Sequence, residues 1–282
     1  NLTIQLVNVF LAVLGPENTV KIDGAISNGA TKWIIGLTKL LIWLSPDMTE
    51  KLSHAVDAFQ GIGKINSNFI GYGNKVLAAS STFAEREKIS QAIVAILKGQ
   101  GIDIVKFFKY LAEKGVINSD VARAAIDSLF QVEKLNFQLM TPKESGEARH
   151  IAVDNAVEIF KITADNNKAD AGLLEHMVVK IDSLDLKMTS DLNKKIDSLI
   201  AKLQIGNLPP QEVAALKKEM ADTIALKSQI LLDRKENLAE ILGAAKLQVI
   251  RTGDRSIFSD EVVNAVLGYH ENSNQMADHN TT

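Results

Sequence analysis

The stretch LLEHMVVKIDSLDLKMTSDLNKKIDSLIAKL, residues 173–203, returns to an apolar residue every three or four positions, at Leu173, Met177, Ile181, Leu184, Met188, Leu192, Ile196, Leu199 and Leu203. Steps of three and four stack side chains along one stripe of an α-helix, here with the narrow seam of a coiled coil. A half-buried strand would alternate instead, so the segment reads as a long amphipathic helix. Lys-Ile-Asp-Ser-Leu occurs at 180–184 and again at 195–199, which is helix periodicity and not a solenoid repeat.

The sequence on either side extends this reading. IGNLPPQE, residues 205–212, supplies a turn, with Gly206 suited to a helix C-terminus and Pro209-Pro210 to the next start. A second long helix follows over 211–250, with Val213, Leu216, Met220, Ile224, Leu231, Leu238, Ile241 and Leu242 as its candidate contacts. Two long helices joined by a short connection predict an antiparallel hairpin. Upstream, Pro142 to Gly146 reads as a break before a helix over 147–164, and helices are expected over 102–114 and 119–140. Thr82 with Glu85 forms a capping-box pattern for a helix through Leu97, which KGQG at 98–101 closes. After TGDRS at 252–256 a short helix over 259–269 precedes a polar tail, NSNQMADHNTT, read as mobile.

The N-terminal part differs in character. Residues 2–14 are apolar on most sides and stop at Gly15-Pro16. KWIIGLTKLLIWLSP, residues 32–46, places Trp33, Ile34, Leu37, Leu40, Leu41 and Leu44 on a broad face, with Trp43 beside it and Lys32, Gly36 and Lys39 on a narrow strip. After a polar helix over 47–59, Gly61, Gly63, Gly71 and Gly73 predict a loop or broken helix and are the hinge candidates. The expectation is an all-α, elongated helical bundle. Its parts are an apolar N-terminal region over 1–80, a helical bundle over 81–141, the hairpin over 147–251 and a tail over 252–282.

Composition narrows the function. The chain has 282 residues, 31 Lys and Arg against 34 Asp and Glu, and no Cys. A net charge of -3 offers no general attraction to a phosphate backbone, so nucleic acid is not expected as a partner. Without cysteine there are no disulfides, thiolate metal sites or thiol nucleophiles, and the compartment stays open, secretion included. No basic segment opens NLTIQLVNVFLAVLGPE, so no signal peptide is read.

No catalytic pattern in the sequence is complete. Gly61-Ile62-Gly63-Lys64 fails as a phosphate loop because Ala58 and Ile65 stand where Gly and Ser or Thr are needed. The five His include no i, i+4 pair, and Glu147-Ala148-Arg149-His150 lacks the second Glu-x-x-His of a di-iron bundle. Asp182 with Asp185, and Glu236 with Glu240, fit a solvated helix face. No cofactor or metal is expected, and the chain reads as non-enzymatic.

Lys32 and Lys39 each cost about 2.5 to 3.5 kcal/mol at a bilayer centre, while each Trp, Ile or Leu returns about half a kcal/mol, which disfavours spanning by this helix alone. Lying in the interface escapes much of that cost because lysine side chains snorkel. An apolar helical head beside a long hairpin resembles the layout of the ClyA and haemolysin BL type of toxins, although there the apolar tongue lies between the long helices. That resemblance implies a membrane-active protein, a pore-forming toxin component that sequesters its apolar segment until membrane contact. The alternative is a self-assembling structural, coat or scaffold protein. The expected partners are therefore a lipid membrane or copies of itself, met through Trp33, Ile34, Leu37, Leu40, Leu41, Trp43 and Leu44.

Overall fold

A computed structural model describes residues 2–278, with side chains from Asp23 onward. The chain is all-α. Eight α-helices are described: α1 (Leu2–Leu44), α2 (Met48–Ala79), α3 (Phe83–Glu113), α4 (Ser119–Leu129), α5 (Pro142–Asp165), α6 (Ala171–Gln204), α7 (Pro210–Thr252) and α8 (Asp260–Asp278), with a 3-10 turn at Phe130–Lys134.

The helix starts follow their caps. Asp47, Thr82, Asn118 and Asp170 each accept a hydrogen bond from the backbone N–H three residues on, satisfying a donor that the first turn leaves open. At α3 the capping box is complete, with Glu85 Oε2 accepting from the Thr82 N–H at 3.3 Å. Pro142 and Pro210 are the first residues of α5 and α7, where their missing N–H costs nothing.

Several expected breaks are absent. α1 continues through Pro16, whose single lost hydrogen bond leaves most turns of a 43-residue helix intact. KGQG lies inside α3, and Gly61, Gly63, Gly71 and Gly73 lie inside α2, so the loop expected over them is corrected to continuous helix. Three of these glycines, Gly61, Gly63 and Gly73, sit at close approach. A Cβ on Gly63 would stand 3.4 Å from the Ser128 Cα, and one on Gly73 would stand 2.9 Å from Ile93 Cδ1. Missing side chains here let helices pack close, and the helical hydrogen bonds carry the chain through. The mid-chain break lies before Pro142, and Asn272 to Asp278, expected as tail, complete α8 with Met276 buried. His279 to Thr282, the rest of that tail, lie outside the described residues.

Among the described residues the helices form a stack of layers. α1 touches only α2 and α3; these rest on α4 and α5; those rest on α6 and α7; and α8 touches only α6 and α7. The two terminal helices are thus on opposite ends of the stack. Buried apolar residues from Ile42 to Tyr269 make one contiguous cluster through the layers. The α6 seam supplies Leu173, Met177, Ile181, Leu184, Met188 and Leu192 to it, all fully buried. α6 and α7 pass in opposite senses: Lys195 meets Glu219, Asp185 meets Arg234, and Ala169, just before α6, meets Gln248.

Candidate functional site

α1 is inverted relative to an ordinary surface helix. Its inward positions are small or hydroxylated, with Ser27, Thr31, Thr38 and Ser45 buried alongside Ile42. Three of these hydroxyls donate to carbonyls one turn back on the same helix, Thr31 to Ser27 at 2.9 Å, Thr38 to Ile34 at 2.7 Å and Ser45 to Leu41 at 2.7 Å. Small residues bring α1 close to α2 and α3, and the local bonds remove the cost of burying a hydroxyl.

The outward face carries the bulk. Trp33 is 67% and Trp43 78% exposed, and Ile26, Leu37, Leu40 and Leu44 are exposed with them. Ile26, Trp33, Leu37, Leu40 and Leu44 follow steps of seven, four, three and four, which align them within one stripe. Of the seven predicted contact residues, five lie on this face. Ile34 and Leu41 are half-buried instead, and Ile34 packs on α2, its Cδ1 3.4 Å from where a Cβ on Gly61 would stand. Lys39 is half-buried with its Nζ 4.4 Å from the centre of the Tyr110 ring, a cation–π contact that draws its charge toward α3. Lys32 is exposed.

A second feature, missed in the sequence, lies between α5, α6, α7 and α8. Arg149 Nε donates to Asp185 Oδ1 at 2.6 Å and Arg149 Nη2 to Asp185 Oδ2 at 3.0 Å, and Arg234 Nη1 reaches the same Oδ2 at 3.1 Å. Both arginines and Asp185 are buried, so Asp185, expected on a solvated face, is corrected to the centre of a buried Arg–Asp–Arg cluster. Arg234 Nη2 also donates to Asp182 Oδ1 at 2.7 Å and to the Tyr269 carbonyl at 2.9 Å, while Arg234 Nε donates to Ser273 Oγ at 2.9 Å. Burial alone would lower the Arg149 pKa, but the Asp185 carboxylate outweighs it and holds the group above its ordinary value.

The only signal for this cluster was Asp182 and Asp185 sharing a helix with an apolar stripe; the arginines stand 36 and 49 residues from Asp185. On α7 the expected seam also shifts. Glu219, Thr223, Lys227, Asp233, Arg234 and Asn237 point inward with Leu238 and Ile241, whereas Ile224 is exposed. Polar residues occupy that face because α6 presents matching charges, such as Lys195, whose Nζ lies 2.8 Å from Glu219 Oε1 and donates to the Met140 carbonyl at 2.6 Å.

His150, at the edge of the cluster, faces two carboxylates. Asp154 lies 3.7 Å from its Nδ1 and Asp233 lies 3.6 Å from its Nε2. Asp154 first, then Asp233, raise its pKa above the ordinary histidine value. Glu147, its partner in the Glu-x-x-His pattern, is exposed, and among the described residues no three His, Asp or Glu side chains gather as a metal site.

An open cleft of about 810 Å³ between α2 and α4 has Lys64, Arg123 and Lys134 in its lining. Next to it, Asp127 Oδ1 lies 2.7 Å from His176 Nε2 and 3.7 Å from Lys180 Nζ. Burial would raise the Asp127 pKa, but His176 and then Lys180 outweigh it and hold the carboxyl below its usual value.

Among the described residues no helix is long and apolar enough to cross a membrane. No family model and no curated protein matches the chain. One solved structure, described as a computational design of self-assembling cyclic protein homooligomers, is 13% identical over 94% of this chain and 98% of its own, with a TM-score of 0.36. That likeness is too low to carry an argument about function, and what stands is an all-α layered bundle with an outward apolar face on its first helix.

Proposed function

We propose that this protein is a non-enzymatic, self-associating structural subunit, and that the outward face of α1 is its contact with another copy. One observation carries the reading: Trp33, Leu37, Leu40, Trp43 and Leu44 of α1 are exposed and point away from the bundle, while Ser27, Thr31 and Thr38 point in with Ile42. Burying a large apolar side chain is worth about 1.5 to 3 kcal/mol. Aligned over five turns, such side chains are enough for a standard contact between helices. Exposed tryptophans suit it, since they are common anchors at protein interfaces.

The test is sedimentation velocity of the full chain without lipid over a hundredfold concentration range. A concentration-dependent rise in mass, weakened at least tenfold by Trp33→Ser/Trp43→Ser, supports the reading; a monomer at every concentration defeats it.

A second reading rests on the same Trp33 and Trp43 flanked by Lys32, a pattern that suits the surface of a bilayer. It predicts flotation of monomers with phosphatidylcholine–phosphatidylserine vesicles and a blue shift of tryptophan emission.

A further inference from the structure

We infer that copies associate head to tail, the α1 face of one docking on the α8 face of the next. This rests on the self-association proposed above and specifies its partner surface.

Charge is the first argument. From Gly24 to Pro46 the chain carries exposed Lys32 and no acidic residue, Lys39 being turned toward Tyr110 of α3, whereas α8 carries Asp260, Glu261, Glu271 and Asp278 and no Lys or Arg. Two α1 faces brought together would oppose like charges, and so would two α8 faces. An α1 face on an α8 face opposes unlike charges and keeps apolar surface in contact.

Shape and position agree with it. On α8, Val263 and Leu267 are exposed one turn apart, 50% and 55% respectively. Exposed Asp260 precedes Val263 by one turn and exposed Glu271 follows Leu267 by one turn, so acid brackets the apolar pair. The stripe from Ile26 to Leu44 and the whole of α8 each span about 28 Å at 1.5 Å per residue. Helix can therefore lie along helix for the full length of both.

The layer order gives the consequence. Among the described residues α1 and α8 share no neighbour, since α1 rests on α2 and α3 and α8 on α6 and α7. A contact between faces at opposite ends of one subunit cannot close as a two-fold dimer. It propagates, giving a ring if the rotation closes and a filament if it does not. Solenoids meet the same situation with polar terminal caps, which this stack lacks at α1.

The experiment is a charge swap in the full chain, read by sedimentation velocity. Lys32→Glu alone and Asp260→Lys/Glu271→Lys alone are each expected to raise the association midpoint at least tenfold, because each then opposes like charges. An equimolar mixture is expected to regain assembly, since each altered face meets its complement on the other variant. Disulfide trapping gives a readout independent of charge. The chain has no Cys, so Leu37→Cys mixed with Leu267→Cys should form mixed dimers on oxidation, and Leu37→Cys alone should not.

Efficient trapping of Leu37→Cys with itself, and a mixture that stays dissociated, overturn the head-to-tail contact while leaving self-association intact. A wild-type chain that stays monomeric, or that binds vesicles only as a monomer, overturns the self-association on which the inference rests.

Discussion

The Arg234 guanidinium lies over the Tyr269 ring, its Cζ 3.8 Å from the ring centre, and the Tyr269 hydroxyl donates back to the Arg234 carbonyl at 2.9 Å. One side chain is held by face and the other by tip, which fastens α8 to α7. Burial raises the Tyr269 pKa well above its ordinary value, so the hydroxyl stays a donor at any working pH. Tyr269→Phe should lose one buried hydrogen bond, about 0.5 to 1.5 kcal/mol. Tyr269→Ala should lose about 3 to 5 kcal/mol through the cavity as well. Urea unfolding measures both, and equal losses would show that the hydroxyl, not the ring, holds α8.

Asp185 bridges two buried arginines, so its removal leaves two cations without their shared partner. Asp185→Ala is expected to destabilise the fold by about 3 to 5 kcal/mol. Asp182→Ala, at the half-buried edge, should cost distinctly less, and comparison of the two denaturation midpoints checks the difference.

Lys195 and Glu219 form a second buried pair, and burial holds the Lys195 pKa below its ordinary value despite the carboxylate. Lys195→Met alone strands Glu219 and should cost about 3 to 5 kcal/mol. Lys195→Met/Glu219→Leu should recover much of that loss, because two apolar side chains of similar volume avoid the desolvation of both charges. A double variant as unstable as the single would show that the pair is needed for packing of the 135–141 turn.

His150 gives a pH signature. Its folded pKa is raised above the unfolded value of about 6.5 by Asp154 and then Asp233. The stabilisation is therefore fully present below about pH 6.5 and is lost as pH rises through the folded value. The side chain is half exposed, so the effect stays under about 1 kcal/mol. Melting temperatures of wild type and His150→Gln should differ most at pH 6 and converge by pH 9; a constant difference would refute the assignment.

Gly71 and Gly73 separate flexibility from close packing. A Cβ on Gly71 meets nothing within 4 Å, so Gly71→Ala should stabilise α2 by about 0.5 to 1 kcal/mol. Gly73→Ala presses on Ile93 and should be neutral or destabilising. If both stabilise equally, Ile93 has room to move aside and Gly73 has no packing role.

The helical content was legible because Leu173 to Leu192 repeat the helix period without exception, and the cap at Thr82 and the proline start at Pro210 are local patterns. What was not legible depended on distant partners. Thr223, Lys227 and Arg234 look like a solvated face until Asp185 and the rest of α6 are set against them. The glycines of α2 read as a loop because propensity speaks for a few residues, whereas packing on Ser128 and Ile93 holds the whole helix. The apolar stripe of α1 was visible, but its direction was not: periodicity shows that a face exists and is silent on whether it turns inward.

The hydroxyls of that first helix have one more bearing. Those on Thr31, Thr38 and Ser45 bond to carbonyls of α1 itself, and none of the side-chain hydrogen bonds described for it reaches another helix. From Asp23 to Leu44, α1 is therefore held on α2 and α3 by close packing, with Ile42 buried and Lys39 over Tyr110, and not by directional side-chain bonds. Shape alone thus sets how that stretch sits on its neighbours, and filling the space left by its small inward residues would push the helix outward as a whole.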